Sequence, residues 1–153
     1  MLSQACSDQA HEVSERPKGR ATDRALRVLI VDDDADISDT MAILLSHWGF
    51  EALPVHTGHE ALQAAHAFSP DLILLDIGMP GMNGLEVAKR LRGHVPTKGK
   101  VPFLIAYSGY GDEQTHQLSL DAGIDLHLVK PVEMAELEKL LRRLQSAIVS
   151  RTE

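Results

Sequence analysis

A single cysteine, Cys6, stands among the 153 residues, so no disulfide can form within the chain and nothing in it calls for an oxidising compartment. Long apolar runs are missing as well: none approaches the roughly 20 residues that a membrane-spanning helix needs. Positive charge is scarce. Fifteen Lys and Arg face 22 Asp and Glu, a formal net charge of −7, which argues against a nucleic-acid surface because affinity for a phosphate backbone comes from clustered basic residues. The basic groups present, Lys89, Arg90 and Arg92, then Arg142 and Arg143, are short and read as solvated helix faces. The eight histidines suggest no metal cluster either, since His56, His59 and His66 fit the surface of one helix. Leu2-Ser3-Gln4-Ala5-Cys6 has the outline of a lipoprotein cleavage box, but no apolar stretch precedes it to engage a membrane. The expected compartment is the cytoplasm.

With 44% hydrophobic residues, the chain can build one core. Residues 1–25 are rich in Ser, Gln, Asp, Glu, Arg and Lys, are interrupted by Pro17 and Gly19, and lack an apolar period, so a disordered arm is expected there and a folded unit over 26–149. Apolar runs without alternation, such as Val28-Leu29-Ile30-Val31 and Leu72-Ile73-Leu74-Leu75, suit parallel strands covered on both faces. Helical periodicity fills the gaps. The pattern predicts β1 at 27–31, α1 at 35–48, β2 at 50–55, α2 at 57–67, β3 at 71–75, α3 at 84–92, β4 at 101–107, α4 at 111–122, β5 at 124–129 and α5 at 132–148. In α1 the predicted inward stripe is Ile37, Met41, Leu44, Leu45 and Trp48, closed by Gly49; in α5 it is Leu137, Leu140, Leu141, Leu144 and Ile148. Strict β/α alternation implies right-handed crossovers and a doubly wound α/β fold, whose ligands gather at the carboxyl ends of the strands.

At that edge the sequence puts Asp32, Asp33, Asp76, Ser108 and Lys130, each after an apolar run. Carboxylates crowded at a partly buried edge raise one another's pKa unless a cation or proton resolves the repulsion. A hard divalent ion with oxygen ligands, Mg²⁺ above all and Mn²⁺ in its place, fits a site without convergent His or Cys. Lys130 adds a compact positive charge suited to a phosphoryl oxygen, and Ser108 a hydrogen-bond donor. Phosphoryl transfer needs little beyond in-line positioning and charge neutralisation. Asp76, at the end of the presumed central strand and followed by a Gly- and Pro-rich loop, is the candidate nucleophile, with Asp32 and Asp33 on the metal. Each residue also has a plainer reading: a helix cap for the acids, a turn cap for Asp76, a loop contact for Ser108, a solvated strand end for Lys130. Their coincidence at four strand ends favours the site.

Residues 26 to 148 resemble the receiver domains of two-component response regulators. The matching pieces are Val28-Leu29-Ile30-Val31-Asp32-Asp33, Leu74-Leu75-Asp76-Ile77-Gly78-Met79-Pro80-Gly81-Met82-Asn83-Gly84, Ala106-Tyr107-Ser108-Gly109 and Leu128-Val129-Lys130-Pro131, the last three most like receivers attached to hybrid sensor kinases or standing alone beside them. The resemblance implies a flavodoxin-like five-stranded sheet of order 2-1-3-4-5. It implies Asp76 as phosphoacceptor, Asp33 as a direct Mg²⁺ ligand, Asp32 as a ligand through water and the Gly78 carbonyl as the third ligand. Ser108 takes the place of the switch hydroxyl, Lys130 that of the conserved lysine, and the Lys130–Pro131 bond is cis. Asp34 is left to cap α1 or to point to solvent. The implied partners are a sensor histidine kinase or a histidine phosphotransfer protein, and a downstream protein met by the α4–β5–α5 face, which here carries Asp112, Glu113, His116, Gln117, Glu133 and Glu136; a monomer or weak dimer is expected.

Three positions depart from the commonest receiver pattern. Gly78 has no side chain to overhang the phosphoryl group, while Tyr110 brings a large one, expected to screen the acyl phosphate from water. His127 stands where many receivers carry an inward-swinging aromatic and reads either as a switch or as an ordinary strand histidine. Only about five residues follow α5, so a receiver without an output domain is expected. The rivals are a phosphorylation-independent binding module and a haloacid-dehalogenase-like phosphatase; the latter wants a second Asp two residues after the nucleophile, where Gly78 stands.

Overall fold

The computed structural model describes residues 24–93, 101–109 and 113–152. Five strands form one parallel sheet: β1 (Arg27–Val31), β2 (Glu51–Val55), β3 (Leu72–Asp76), β4 (Phe103–Ser108) and β5 (Leu126–Val129). Their order is β2-β1-β3-β4-β5, so β3 is central, and the fold is the doubly wound, flavodoxin-like one. The helices are α1 (Ala35–His47), α2 (Gly58–Ala67), α3 (Gly84–Gly93), α4 (Glu113–Asp121) and α5 (Met134–Thr152).

Both faces of the sheet are covered, which is why its strands are apolar without alternation. On one face Val28, Ile30, Leu72, Leu74, Ile105 and Tyr107 pack with Ala42 and Leu45 of α1 and with Leu137 and Leu141 of α5. On the other, Leu29, Val31, Ile73, Leu75, Leu104 and Ala106 pack with Ala61 of α2 and with Val87 and Ala88 of α3. Every residue of β3 is buried. Each such Leu or Ile contributes about 1.5–3 kcal/mol relative to an exposed position. Pro54 is tolerated because β2 is an edge strand.

The predicted strand and helix order holds, with shifts at the ends. β4 starts at Phe103, after Pro102, and runs on through Ser108. Helix α5 starts at Met134, its first turn closed by the Leu137 N–H on the Glu133 carbonyl, and extends to Thr152. The phase of α1 is rotated from the expected stripe: Ser38, Ala42 and Leu45 are the buried positions, whereas Ile37 is 41% exposed. Small residues at 38 and 42 let the helix backbone lie close to the sheet, turning the bulkier Ile37 to the rim. There it joins Met41, Tyr107, Val132, Met134 and Leu137 around an apolar cavity of about 490 Å³ between α1 and α5. The α5 stripe is inward as expected, with Leu137 and Leu141 buried and Leu140, Leu144 and Ile148 packed against them.

Local signals also resolve. Asp34 caps α1, its Oδ1 accepting the N–H groups of Asp36 at 3.0 Å and Ile37 at 3.3 Å. Gly49 ends the helix at φ +97°, a left-handed position that favours glycine, and the Phe50 N–H returns to the Leu45 carbonyl. His59 and His66 lie on the exposed face of α2, and half-buried His56 meets Asp39 at 3.3 Å. Arg92 corrects the reading of its group as solvated: its guanidinium donates to the carbonyls of Gly123 (2.9 Å) and Pro102 (3.0 Å) and to the Asp125 carboxylate (2.7 Å). The expected arm falls almost wholly on residues 1–23, outside the described residues, as does Tyr110.

Candidate functional site

The carboxyl ends of β1 and β3 are adjacent because the two strands pair, so the acids that follow them meet without any contribution from distant loops. Carboxylate oxygens of Asp32, Asp33 and Asp76 lie within 4.8 Å of one another. Asp32 is 1% exposed and Asp76 7%, whereas Asp33 opens to solvent. Lys130, beyond the end of β5, reaches back over the edge: its Nζ is 3.6 Å from Asp76 Oδ2 and 3.9 Å from Asp32 Oδ2. One ammonium against three carboxylates leaves an excess of negative charge in a confined place.

Burial raises the Asp76 carboxyl above its ordinary value; the Gly78 N–H and Lys130 pull it down, and Asp32 and Asp33 push it further up. The Gly78 N–H donates to Asp76 Oδ1 at 3.0 Å. A Cβ placed on Gly78 would stand 3.7 Å from that oxygen, so the absent side chain leaves this approach to the carboxylate open. Behind the loop, Ile77 and Met79 are buried, Asn83 caps α3 through the Glu86 N–H at 3.0 Å, and the Gly84 N–H donates to the Ile77 carbonyl at 3.2 Å.

Ser108 ends β4, is buried, and has its Oγ 3.2 Å from His127 Nε2. The His127 ring is stacked on His116 of α4, with centroids 5.8 Å apart and planes 12° from parallel. Asp32, Asp33, Asp76 and Lys130 are thus gathered into one cluster, and Ser108 with His127 forms a pair at the neighbouring strand ends. The Lys130–Pro131 peptide is cis.

One participant escaped the sequence reading. Tyr107, in register with Asp76 on the next strand, donates its hydroxyl to Asp32 Oδ2 at 2.6 Å, and the Lys130 ammonium sits 4.6 Å from its ring centroid. Burial, then the bond to Asp32, drives its phenol pKa far up, so it remains a donor. The available signal was a polar-tipped ring inside an otherwise aliphatic strand, one residue before Ser108.

The donor set of the cluster is entirely oxygen, carries surplus negative charge and contains one solvent-facing carboxylate. That chemistry fits a hard divalent cation. Residues 28–142 match the family model described as the response regulator receiver domain.

The chain belongs to the response regulator receiver domains.

Among its relatives are the DNA-binding response regulator MtrA of Mycobacterium tuberculosis, 35% identical over 116 residues, and the transcriptional regulatory protein KdpE of the same species, 35% identical over 121. These matches cover 76% and 79% of this chain, which spans only about half the length of each relative, 49% and 50%. Similar solved structures include a CheY-like receiver domain protein from Methanospirillum hungatei (TM-score 0.74, 28% identity, 84% of this chain and 99% of that one). The chemotaxis protein CheY4 of Vibrio cholerae superposes with a TM-score of 0.72 at 29% identity, over 78% of this chain and 98% of its own. A receiver domain is a phosphoacceptor switch of two-component signalling, driven by histidine kinases, rather than a turnover enzyme. No helix among the described residues is long and apolar enough to cross a membrane.

Proposed function

We propose that residues 26–149 act as a Mg²⁺-dependent phosphoryl acceptor, with Asp76 as the phosphorylated residue and a phosphohistidine of a sensor kinase or a phosphotransfer protein as donor. The observation that carries this reading is the closeness of three strand-end carboxylates to one another, within 4.8 Å, beside a lysine that reaches Asp76 at 3.6 Å. Asp33, Asp76 and the Gly78 carbonyl would hold the ion directly and Asp32 through water; bound there, it would neutralise charge on the phosphoryl oxygens.

The chain's own groups divide the rest of the work. Asp76 Oδ1 is tied to the Gly78 N–H, so Oδ2, which faces Lys130, attacks phosphorus as the P–N bond to the donor imidazole breaks. Lys130 shifts from the free carboxylate to a phosphoryl oxygen and stays in the same pocket of charge. Ser108 leaves His127 Nε2 to donate to the phosphoryl group. That exchange loosens His127 from β4 and, through its stack on His116, changes α4 and the α4–β5–α5 face, where a downstream protein would bind. Tyr110 would screen the acyl phosphate from water.

Intact-protein mass spectrometry after incubation with Mg²⁺ and acetyl phosphate tests the proposal. A single hydroxylamine-labile phosphoryl adduct is expected, absent from Asp76→Asn and from metal-free samples. No adduct on the unaltered protein would overturn it in favour of a phosphorylation-independent binding module, and turnover of a generic phosphomonoester would favour a phosphatase.

A further inference from the structure

Asp32 is an unusual ligand to leave to chance: it is nearly inaccessible, and the cationic head of Lys130, at 3.9 Å, is beyond direct hydrogen-bond reach of its Oδ2. Its two oxygens are nonetheless both engaged. Oδ1 accepts the Asp34 N–H at 2.9 Å, a bond inherent in the turn that leads into α1. Oδ2 accepts the Tyr107 hydroxyl at 2.6 Å, a distance in the range of charge-assisted O–H···O⁻ bonds. Tyr107 crosses from β4, past the end of central β3, to reach the end of β1. Its ring is itself fixed, buried against the α1 and α5 side of the sheet and covered by the Lys130 ammonium.

We propose that Tyr107 is a positioning residue for the acidic site, its hydroxyl and the Asp34 N–H together clamping the Asp32 carboxylate in the orientation in which it serves a divalent cation. The inference rests on reading the acidic cluster as a cation site. Without the hydroxyl, the Asp34 N–H holds one oxygen while the other keeps only a distant ammonium, so the carboxylate must be ordered anew whenever the ion binds. That cost falls on cation affinity and spares the transfer itself, which Asp76 and Lys130 carry out. The placement would also give β4 a double role: Ser108 would serve the phosphoryl group, and the residue before it holds the Asp32 carboxylate.

Tyr107→Phe keeps the ring and removes the bond. Calorimetric titration of the phosphate-free protein with Mg²⁺ should give a Kd raised about ten-fold, the scale seen when a group orienting a metal ligand is lost. Acetyl phosphate labelling should need correspondingly more Mg²⁺ for half-maximal rate, with the rate at saturation close to that of the unaltered protein. A merely structural role would lower the melting temperature without moving Kd measured well below it. A second readout needs no change at Asp32 or Tyr107. In the unaltered protein, Mg²⁺ should draw charge from Asp32, weaken the phenol bond and shift the tyrosine absorption band to the blue, and the shift should survive Tyr110→Phe. An unchanged or tighter Kd in Tyr107→Phe, or a tyrosine spectrum that stays flat while Mg²⁺ binds, overturns the proposal. Failure of the unaltered protein to bind Mg²⁺ at all would instead overturn the cation-site reading on which it stands.

Discussion

Asp76 is held in the fold at a cost. Burial and two neighbouring carboxylates raise its pKa above the ordinary 3.8, so the folded chain keeps this proton to higher pH than the unfolded chain does. The sign follows: stability falls as pH rises from about that ordinary value through the raised one, and above it the penalty is constant. Asp76→Asn removes the charge while keeping an oxygen for the Gly78 N–H. In metal-free buffer at neutral pH it should melt a few degrees higher than the unaltered protein, on the scale of about 1 kcal/mol for a domain of this size, and the gap should close toward pH 4. Calorimetric melting with and without Mg²⁺ checks this, since binding of the ion should narrow the gap by stabilising the unaltered protein. At this scale the acids and Lys130 were legible because each follows an apolar strand and so stands at a known edge. Tyr107 was not, because an aromatic in an apolar run counts toward burial, and the partner of its hydroxyl, Asp32, lies 75 positions away in the chain. Tyr110 and Asp112 lie outside the described residues.

Elements were readable to the extent that their periodicity is local. The phase error in α1 came from weighting Ile37 by hydrophobicity alone, whereas contact with a sheet favours the small Ser38 and Ala42. Helix α3 shows how an element end serves the site. A Cβ on Gly84 would collide with the Asp76 carbonyl oxygen and lie 2.8 Å from Ile77 Cα, so the helix can start against the end of β3 only because residue 84 has no side chain. Gly84→Ala must push either the helix or the Asp76–Ile77 backbone aside. A loss of about 1–3 kcal/mol in urea unfolding is expected, the range for overpacking, with slower acetyl phosphate labelling of the fraction that remains folded. Normal stability with normal labelling would show that the loop absorbs the methyl group.

On the scale of the whole molecule the sheet has two unlike edges. The carboxyl edge concentrates unneutralised acids and the Ser108–His127–His116 chain. The amino edge is cross-braced: buried Asp71 accepts Arg24 at 3.0 Å and the Arg27 N–H at 2.8 Å, and Arg92 joins α3 to the segments entering β4 and β5. Asp125 Oδ2 completes that brace by also accepting the Leu104 N–H at 2.8 Å. None of this was visible in the sequence, because the partners of Arg92 are 10, 31 and 33 positions away and a charged helix residue is usually solvated. Arg92→Ala should cost about 2 kcal/mol in chemical denaturation, having taken the side-chain donor from two carbonyls and left the Asp125 carboxylate with the Leu104 N–H alone, while leaving the Asp76 adduct intact at temperatures where the variant is folded. Loss of the adduct in a folded Arg92→Ala protein would mean that the two edges are energetically coupled. The same guanidinium has a practical use. Because Arg92 grips the Pro102 carbonyl, the chain before and after residues 94–100 is already pinned together, at the pole remote from the acids. Lengthening the chain between two pinned points costs little, about 0.6 kcal/mol per doubling. A fluorescent reporter or affinity handle spliced into that span would ride on the molecule as a passenger, at the opposite end of the strands from the acids.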